Sequence, residues 1–448
     1  MGKIDFKAIY EENKDEWKAL TRDPQKYEAL LAGHYSDSNH FVYELLQNAE
    51  DAFEVDVKGV FNPKTCAHAD KVVIEYYSDK LVFYHNGKPF DEKDARGVSS
   101  MLMGTKDRDD AQTIGRFGMG FKSVFKYTYQ PEIYSDDEAF KITRYLLPVE
   151  ITEGWDFEAE KKSIVCKLGD KRSFAPFLYE KHLTKIVIPF KKYGKDGELV
   201  SVPGDDVLKK LDELDGEILL FLTHIQNLYW INKENGKYAR ITLKQDEKDE
   251  KLVTCRIEGT DYGEKEEIAR YLKFKKVFDH PDMANAEVSV AYKLNSRADN
   301  INEVDESSVW VYFPTRDETD LPFLIHGSFE TAVSREKLMA PSSFNDDLFD
   351  KLGDLIADSM EELAKRKLIT QMFLRRSLIS AFKDEDENET IPGLKVKVTE
   401  TIINKGLLPD KNGTYRRPDE MLLPVPFRMG DFVEKPLLGK VFKDKIFV

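Results

Sequence analysis

The sequence is poor in the residues that build disulfide frameworks and zinc sites. Its 448 residues include three cysteines, Cys66, Cys166 and Cys255, which lie far apart and form no C-x-x-C pair. Its eight histidines show no metal-ligand spacing such as H-E-x-x-H. We therefore expect neither a disulfide scaffold nor a zinc site.

Long apolar runs and an excess of basic charge are also missing. No run approaches the roughly 20 apolar residues that a membrane-spanning helix needs, and no charged-then-apolar signal opens the chain. The formal net charge of -15 argues against a broadly basic surface for nucleic acid. These absences predict a cytoplasmic protein that makes no use of a membrane and does not have nucleic acid as its default partner.

A helix with three polar residues on one side is predicted over FVYELLQNAEDAF, residues 41–53. At about 100° per residue, Glu44, Asn48 and Asp51 fall within an arc of about 60°, and the apolar residues face elsewhere. A carboxylate at Glu44 could orient a water as general base, and the Asn48 amide oxygen could bind magnesium. A solvated helix face would give the same spacing, so this pattern alone does not decide the function.

A glycine-rich loop occurs at IGRFGMGFKSVF, where Gly115, Gly118 and Gly120 form G-x-x-G-x-G. The loop opens a predicted helix, so its backbone N–H groups can point at a polyphosphate. The segment before it, residues 106–113, is charged and polar, whereas a dinucleotide fingerprint needs a hydrophobic strand there. No Gly-Lys-Ser/Thr closes the run, which excludes a Walker loop.

Together the helix and the loop resemble the GHKL ATPases, the superfamily of gyrase B, the heat-shock-ninety chaperones, MutL and the histidine kinases. The similarity is closest to the heat-shock-ninety and sacsin-like branch, in ELLQNAEDA, in IGRFGMGFKSVF and in the lid-opening triplet Gly104-Thr105-Lys106. The resemblance implies ATP and Mg²⁺ as ligands, with Glu44 as general base, Asn48 as magnesium ligand and Asp51 as a supporting carboxylate. The loop residues that it implies for nucleotide binding are Thr105, Lys106, Gly115, Arg116, Phe117, Gly118, Met119, Gly120 and Phe121.

The segment that should contact adenine departs from the family pattern. The family has an Asp two residues ahead of a Gly, which accepts the adenine amino group, whereas this chain has His85-Asn86-Gly87. Both His85 and Asn86 offer an acceptor, so the identity of the contact stays open, and a plain turn between a strand and a helix is the alternative. Thr184, in the strand LTKIVIPF, resembles the threonine of the last nucleotide motif, but a β-branched residue in a strand explains it equally well.

The expected fold class is α+β. We predict a two-layer α/β sandwich of the Bergerat type over residues 1–200, followed by a transducer-like α/β middle domain with C-terminal helices over 201–382. Residues 191–206, rich in Lys, Gly and Asp, mark the boundary. Residues 383–448 are interpreted as a linker and the start of a further region, so we expect the chain to belong to a larger protein.

A second catalytic residue is implied in the middle domain. Ser334-Arg335-Glu336 resembles the heat-shock-ninety loop whose arginine reaches the terminal phosphate of ATP. The resulting hypothesis is a slow ATPase that acts as a conformational switch, with dimerisation on ATP binding and a protein client or effector domain as partners. Two alternatives remain: a nucleic-acid-processing ATPase like MutL or the MORC proteins, and a nucleotide-binding module that does not hydrolyse.

Overall fold

The computed structural model divides the chain into two compact units. It describes residues 3–20, 40–56, 59–100, 120–169, 172–191, 204–262, 266–302, 304, 307–319, 321–332, 335–370, 373–374, 392–410, 412–422 and 446–447. The first unit comprises Met1–Lys244, Cys255–Ile268 and Pro281–Ala284, and the second comprises Gln245–Thr254, Ala269–His280 and Asn285–Val448.

The first unit combines helices with a mixed sheet. Its helices are α1 (Phe6–Leu20), α2 (His40–Glu50), α3 (Glu92–Ser99), α4 (Phe157–Ser163) and α5 (Gly204–Asp212), with 3-10 helices at Gly120–Lys126 and Gly216–Leu219. Its strands are β1 (Lys71–Tyr76), β2 (Lys80–His85), β3 (Glu132–Ser135), β4 (Glu138–Thr143), β5 (Leu147–Glu150), β6 (Cys166–Leu168), β7 (Arg172–Phe174), β8 (Thr184–Pro189), β9 (Asn227–Asn232), β10 (Tyr238–Gln245) and most of β11 (Leu252–Gly259).

The main sheet of this unit has the order β11-β10-β9-β1-β2-β8-β3-β4-β5, and β6 and β7 form a separate hairpin. In the part of the sheet ordered β1-β2-β8-β3-β4-β5, every neighbouring pair of strands is antiparallel, and β1 pairs with β9 in parallel. Side chains alternate between the two faces along each strand. On β2, Leu81 and Phe83 are 0% exposed on one face, and Val82 and Tyr84 join a second buried cluster on the other. Both faces of the sheet therefore carry a core, and the predicted α+β fold class, helices packed with a mixed sheet, is confirmed.

The first unit continues past the boundary predicted at residue 200. The parallel pairing places Val73 of β1 opposite Tyr229 of β9, so β9 is a central strand of this sheet. At the start of α5, a Cβ on Gly204 would lie 2.8 Å from the hydroxyl oxygen of Tyr76. Strand pairing thus joins residues on both sides of the Lys, Gly and Asp-rich segment in one compact unit. The domain boundary at residue 200 stays a prediction.

The second unit holds a further set of strands and two longer helices. Its strands β12 (Glu267–His280), β13 (Met283–Leu294), β14 (Ser308–Val311), β15 (Phe313–Glu318) and β16 (Leu324–Gly327) have the order β15-β14-β16-β13-β12. Among the described residues its helices are α6 (Ser343–Lys365) and α7 (Pro392–Asn404), with a 3-10 helix at Pro418–Glu420 and short strands β17 (Leu408–Pro409), β18 (Tyr415–Arg416), β19 (Met421–Leu422) and β20 (Ile446–Phe447). A further 3-10 helix, Thr260–Tyr262, belongs to the first unit.

Helix α6 forms where the sequence repeats apolar residues at helical spacing. Ser342 caps it by accepting the N–H of Asn345, and Leu348, Leu352, Ile356 and Leu363 are each 0% exposed. The helix ends at Lys365, and Phe373 and Leu374 are again helical. In the part of the chain that the structure describes, no helix is both long enough and apolar enough to cross a bilayer.

Candidate functional site

Helix α2 brings a carboxylate into the interior of the first unit. Glu44 is only 5% exposed, and Leu45, Leu46 and Ala49 on the same helix are at most 1% exposed. Carboxylates are rarely buried in proteins unless they have hydrogen-bonding or charged partners. The apolar residues hold the helix in the core, and they fix the position of Glu44.

The end of the glycine motif lies against this carboxylate. A Cβ built on Gly120 would lie 1.7 Å from Oε2 of Glu44 and 2.6 Å from its Cδ, so any other residue there would displace the Glu44 carboxylate. Gly120 is also the first residue of the 3-10 helix Gly120–Lys126. The structure therefore brings the helix motif and the end of the glycine motif together, and a glycine at position 120 leaves the Glu44 carboxylate where it is.

The 3-10 helix is held in place by a buried lysine that the sequence analysis did not single out. Lys122 is 3% exposed, and its Nζ donates to the carbonyl oxygens of Val98 and Tyr145, both at 2.8 Å. Phe121, which was predicted to contact nucleotide, is 3% exposed and packs in this core. In the sequence, a lysine inside the apolar run FKSVF was the signal that could have indicated a buried Lys122.

Two polar side chains on α2 carry unpaired buried atoms. Nδ2 of Asn48 and Oε1 of Gln47 are buried and have no hydrogen-bond partner among the described residues. Leaving a buried polar atom without a hydrogen bond costs about 1–3 kcal/mol. When a native protein has such an atom, a ligand or water that completes the bond is the usual explanation. Asp51 follows directly after the helix, is half-buried, and donates its N–H to the Gln47 carbonyl at 2.9 Å.

The residues of the site fit a magnesium ion that is bound mainly through phosphate and water. No group of three or more His, Cys, Asp or Glu residues that could hold a metal occurs within the described ranges. Magnesium in nucleotide sites usually has one or two protein ligands and keeps several waters. The amide oxygen of Asn48 is a ligand of the type suited to this arrangement, and its unpaired Nδ2 can donate to a phosphate or water oxygen.

The turn after β2 packs against the end of the same helix. A Cβ on Gly87 would lie 2.6 Å from the Ala52 carbonyl oxygen, and the N–H of Lys88 donates to that oxygen at 2.8 Å. His85, the last residue of β2, is 2% exposed, and its Nδ1 accepts the N–H of Gly87 at 3.1 Å. Burial lowers the pKa of His85 to about 3, so the imidazole is neutral at pH 7.

Asn86 is fully occupied within the fold. Its Oδ1 accepts the backbone N–H groups of Asp70 and Lys71, both at 3.1 Å, and its Nδ2 donates to Asp70 at 2.6 Å and to Glu180 at 3.0 Å. These four bonds use all the hydrogen-bonding capacity of an amide side chain. Of the two acceptors that the sequence left open, Asn86 holds the turn and His85 is the remaining candidate.

Thr184 lies directly beside His85. The two residues are opposite each other in the register of β2 and β8, and Thr184 is likewise opposite Ser135 of β3. Thr184 is 0% exposed, and its hydroxyl lies 2.8 Å from the hydroxyl of Ser135. The Ser135 oxygen also accepts the N–H of Phe90 at 2.9 Å, a contact that the sequence analysis missed.

A second carboxylate of α2, also missed, ties the helix to a distant segment. Glu50 is 2% exposed and accepts three consecutive backbone N–H groups: those of Thr223 at 2.5 Å and His224 at 2.8 Å on Oε1, and that of Ile225 at 3.0 Å on Oε2. In the sequence, an acidic residue on the apolar side of an amphipathic helix was the signal that could have indicated a buried, hydrogen-bonded Glu50.

The other predicted site residues remain predictions. Arg335 belongs to the second unit, where its φ of 55° places it in the left-handed region within the turn closed by the Thr331–Leu338 bridge. Its N–H donates to the Ala332 carbonyl at 2.8 Å. The following predicted residues lie outside the described ranges: Thr105, Lys106, Gly115, Arg116, Phe117, Gly118 and Met119.

Comparison with known proteins finds a family match over residues that include this site. Residues 28–145 match the Sacsin domain family. Human sacsin is 28% identical over 216 residues, which cover 43% of this chain and 5% of sacsin. Protein NO VEIN of Arabidopsis thaliana is 24% identical over 349 residues, covering 75% of this chain and 12% of that protein. Chaperone protein HtpG of Verminephrobacter eiseniae (strain EF01-2) is 27% identical over 210 residues, which cover 38% of this chain and 30% of HtpG.

The chain thus spans between one twentieth and less than a third of the length of these relatives. Their similarities fit the GHKL ATPase-like fold inferred from the motifs, and they support a GHKL-type ATPase module.

Proposed function

We propose that this sacsin-like, GHKL-type module is an ATP-binding and slowly hydrolysing conformational switch of the heat-shock-ninety and sacsin-like type. The observation that carries the proposal is the approach of Gly120 to the Glu44 carboxylate, because it puts a buried base beside the end of a glycine loop suited to phosphates. The unpaired Nδ2 of Asn48 in the same helix is a donor, and it supports an acceptor such as a phosphate or water oxygen at this place.

Each residue has a defined role in this proposal. Glu44 orients the attacking water and accepts its proton, while the backbone around Gly120 holds the phosphates. Asn48 binds magnesium, which would neutralise phosphate charge, and Asp51 supports the nucleotide. In phosphoryl transfer, positioning and charge stabilisation supply most of the catalysis, and a buried carboxylate fixed by a packed helix is well positioned. His85 and Thr184 form the base end of the site.

The switch depends on the second unit. In the proposal, the guanidinium of Arg335 contacts the γ-phosphate, so that ATP and ADP favour different arrangements of the chain. We also propose that ATP binding promotes self-association in the cytoplasm and that a protein client or an effector domain responds. The name of HtpG as a chaperone protein supports a client of this kind.

A substitution of the base tests the proposal. Glu44→Ala should bind ATP with magnesium within about threefold of wild type by isothermal titration, and should lose at least about 100-fold in phosphate release, because a positioned general base contributes typically 10²–10⁴-fold. Glu153→Ala, which removes an exposed carboxylate from a loop of the same unit, is the matched control. Turnover of Glu44→Ala within twofold of wild type would remove Glu44 from the mechanism.

A further inference from the structure

A cavity lies on the face of the first unit's sheet that is turned away from His85 and Thr184. Side chains alternate along a strand, so Val82 and Tyr84 of β2 point to the opposite side from His85. Together with Val187 of β8, they line a cavity of about 390 Å³. The cavity is therefore separate from the proposed nucleotide site.

Four of the charged side chains that line this cavity are paired with each other. Oε1 of Glu75 lies 3.0 Å from Nζ of Lys233, and Oε1 of Glu160 lies 2.7 Å from Nζ of Lys185. Glu75 is only 7% exposed, and a carboxylate at this depth needs such a partner. These two pairs cancel in charge and form a fixed polar wall.

Two further charged residues of the lining, Lys80 and Glu132, have no ion-pair partner among the described residues. The Lys80 ammonium lies over the ring of Tyr77, 4.9 Å from its centroid, and Oε2 of Glu132 accepts the hydroxyl of Tyr134 at 2.7 Å. Neither contact neutralises the charge. The cavity thus offers one uncompensated cation and one uncompensated anion.

The register of the sheet sets the distance between these two charges. Glu132 is opposite Val187, which in turn is opposite Val82. Lys80 lies two residues before Val82 on the same face of β2. Two strand spacings of about 4.8 Å and two residues of about 3.4 Å put the Cα atoms of Lys80 and Glu132 about 12 Å apart. Because strand side chains stand roughly perpendicular to the sheet, two hydrogen bonds of about 3 Å leave about 6 Å between them for a ligand.

We propose that this cavity binds a small zwitterionic peptide, with its ammonium group on Glu132 and its carboxylate on Lys80. Two extended residues span at most about 7 Å, so a dipeptide matches the gap, and a single amino acid is too short to reach both charges. The buried side chains of Val82 and Val187 form an apolar floor that suits small apolar side chains.

Alanylalanine and three analogues test the proposal on the full-length chain. Ligand-observed NMR would give the affinities of alanylalanine, its N-acetyl form, its C-terminal amide and alanine. We expect alanylalanine to bind, and each blocked form to bind about tenfold more weakly, the effect of losing one hydrogen bond to a charged group. Alanine should be weakened by about the same factor, because it reaches only one of the two charges.

Two variants assign the ends of the ligand. In Glu132→Gln, N-acetylation should no longer weaken binding, whereas amidation still should. In Lys80→Gln, amidation should no longer weaken binding, whereas N-acetylation still should. Glu153→Gln and Lys64→Gln, which remove the same charges at exposed positions, should behave as wild type. A melting curve would show that each variant is folded.

Three results would overturn the proposal. Wild-type protein that binds no alanylalanine at about 10 mM has no specific site for it. Equal affinity for the blocked and unblocked forms would show that the two charges are not recognised. Blocking effects that persist unchanged in folded Glu132→Gln and Lys80→Gln would place the ligand elsewhere. None of these results bears on ATP binding, which is measured separately and on the other face of the sheet.

Discussion

Glu50 is predicted to be a strong stabilising residue of the first unit, and Glu50→Gln tests it with almost no change in shape. In the native protein, Oε1 accepts the N–H groups of Thr223 and His224, and Oε2 accepts that of Ile225. An amide oxygen in the Oε1 position keeps two of these bonds. The NH₂ group in the other position faces the Ile225 N–H, so a donor meets a donor.

The expected cost follows from this geometry. The variant loses one hydrogen bond to a charged group, about 1.5–3 kcal/mol, and it weakens the other two because charge-assisted bonds are about twice as strong as neutral ones. It also leaves the Ile225 N–H unpaired at a buried site. We therefore expect the free energy of unfolding of the first unit to fall by about 3 kcal/mol.

Two measurements check this value. Denaturant unfolding gives the loss of stability, and hydrogen exchange of a peptide covering residues 223–225 gives its location. If these amides exchange through the same opening, a loss of 3 kcal/mol should speed their exchange by about 100-fold. Glu153→Gln, which changes the same charge at an exposed position, should leave both readings unchanged. A Glu50→Gln protein within about 0.5 kcal/mol of wild type, with normal protection of these amides, would refute the reasoning.

Four further predictions follow from the site. Asn48→Ala should weaken nucleotide binding measured with magnesium and leave binding in EDTA unchanged; equal losses in both conditions would exclude Asn48 as the ligand. Gly120→Ala should impair hydrolysis and displace Glu44, because its Cβ would overlap Oε2; a phosphate-release rate equal to wild type would contradict this. Arg335→Gly should slow hydrolysis by about 10 to 1,000-fold, with unchanged ADP affinity and no added backbone strain, since glycine suits its φ of 55°. Burial lowers the pKa of His85 to about 3 in the folded protein, so near pH 6.5 it binds a proton only when the chain is unfolded. The free energy of unfolding should therefore fall by about 1.4 kcal/mol per pH unit as the pH drops below 6.5. In His85→Asn, the free energy of unfolding should fall less steeply from pH 6.5 to 5.

Local signals in the sequence were sufficient for the elements that carry the site. Helix α1 and the hairpin of β1 and β2 each form within one continuous stretch of chain, from residues that are close in sequence. Asp91 caps α3, and its side chain accepts the N–H of Asp94 only three residues along the chain. The order of the two motifs also indicated the superfamily. All these features depend on residues that are close in sequence.

Only the tertiary structure decided how these elements are used. Nothing near Glu50 in sequence indicates that its partners are Thr223, His224 and Ile225, and nothing near β1 indicates a parallel partner at β9. The same is true of Asn86: its residue type allowed a contact to the base, and the amides of Asp70 and Lys71 took its oxygen instead. A side chain makes the bonds that its neighbours in space leave open, and those neighbours are set by packing between segments far apart in the chain.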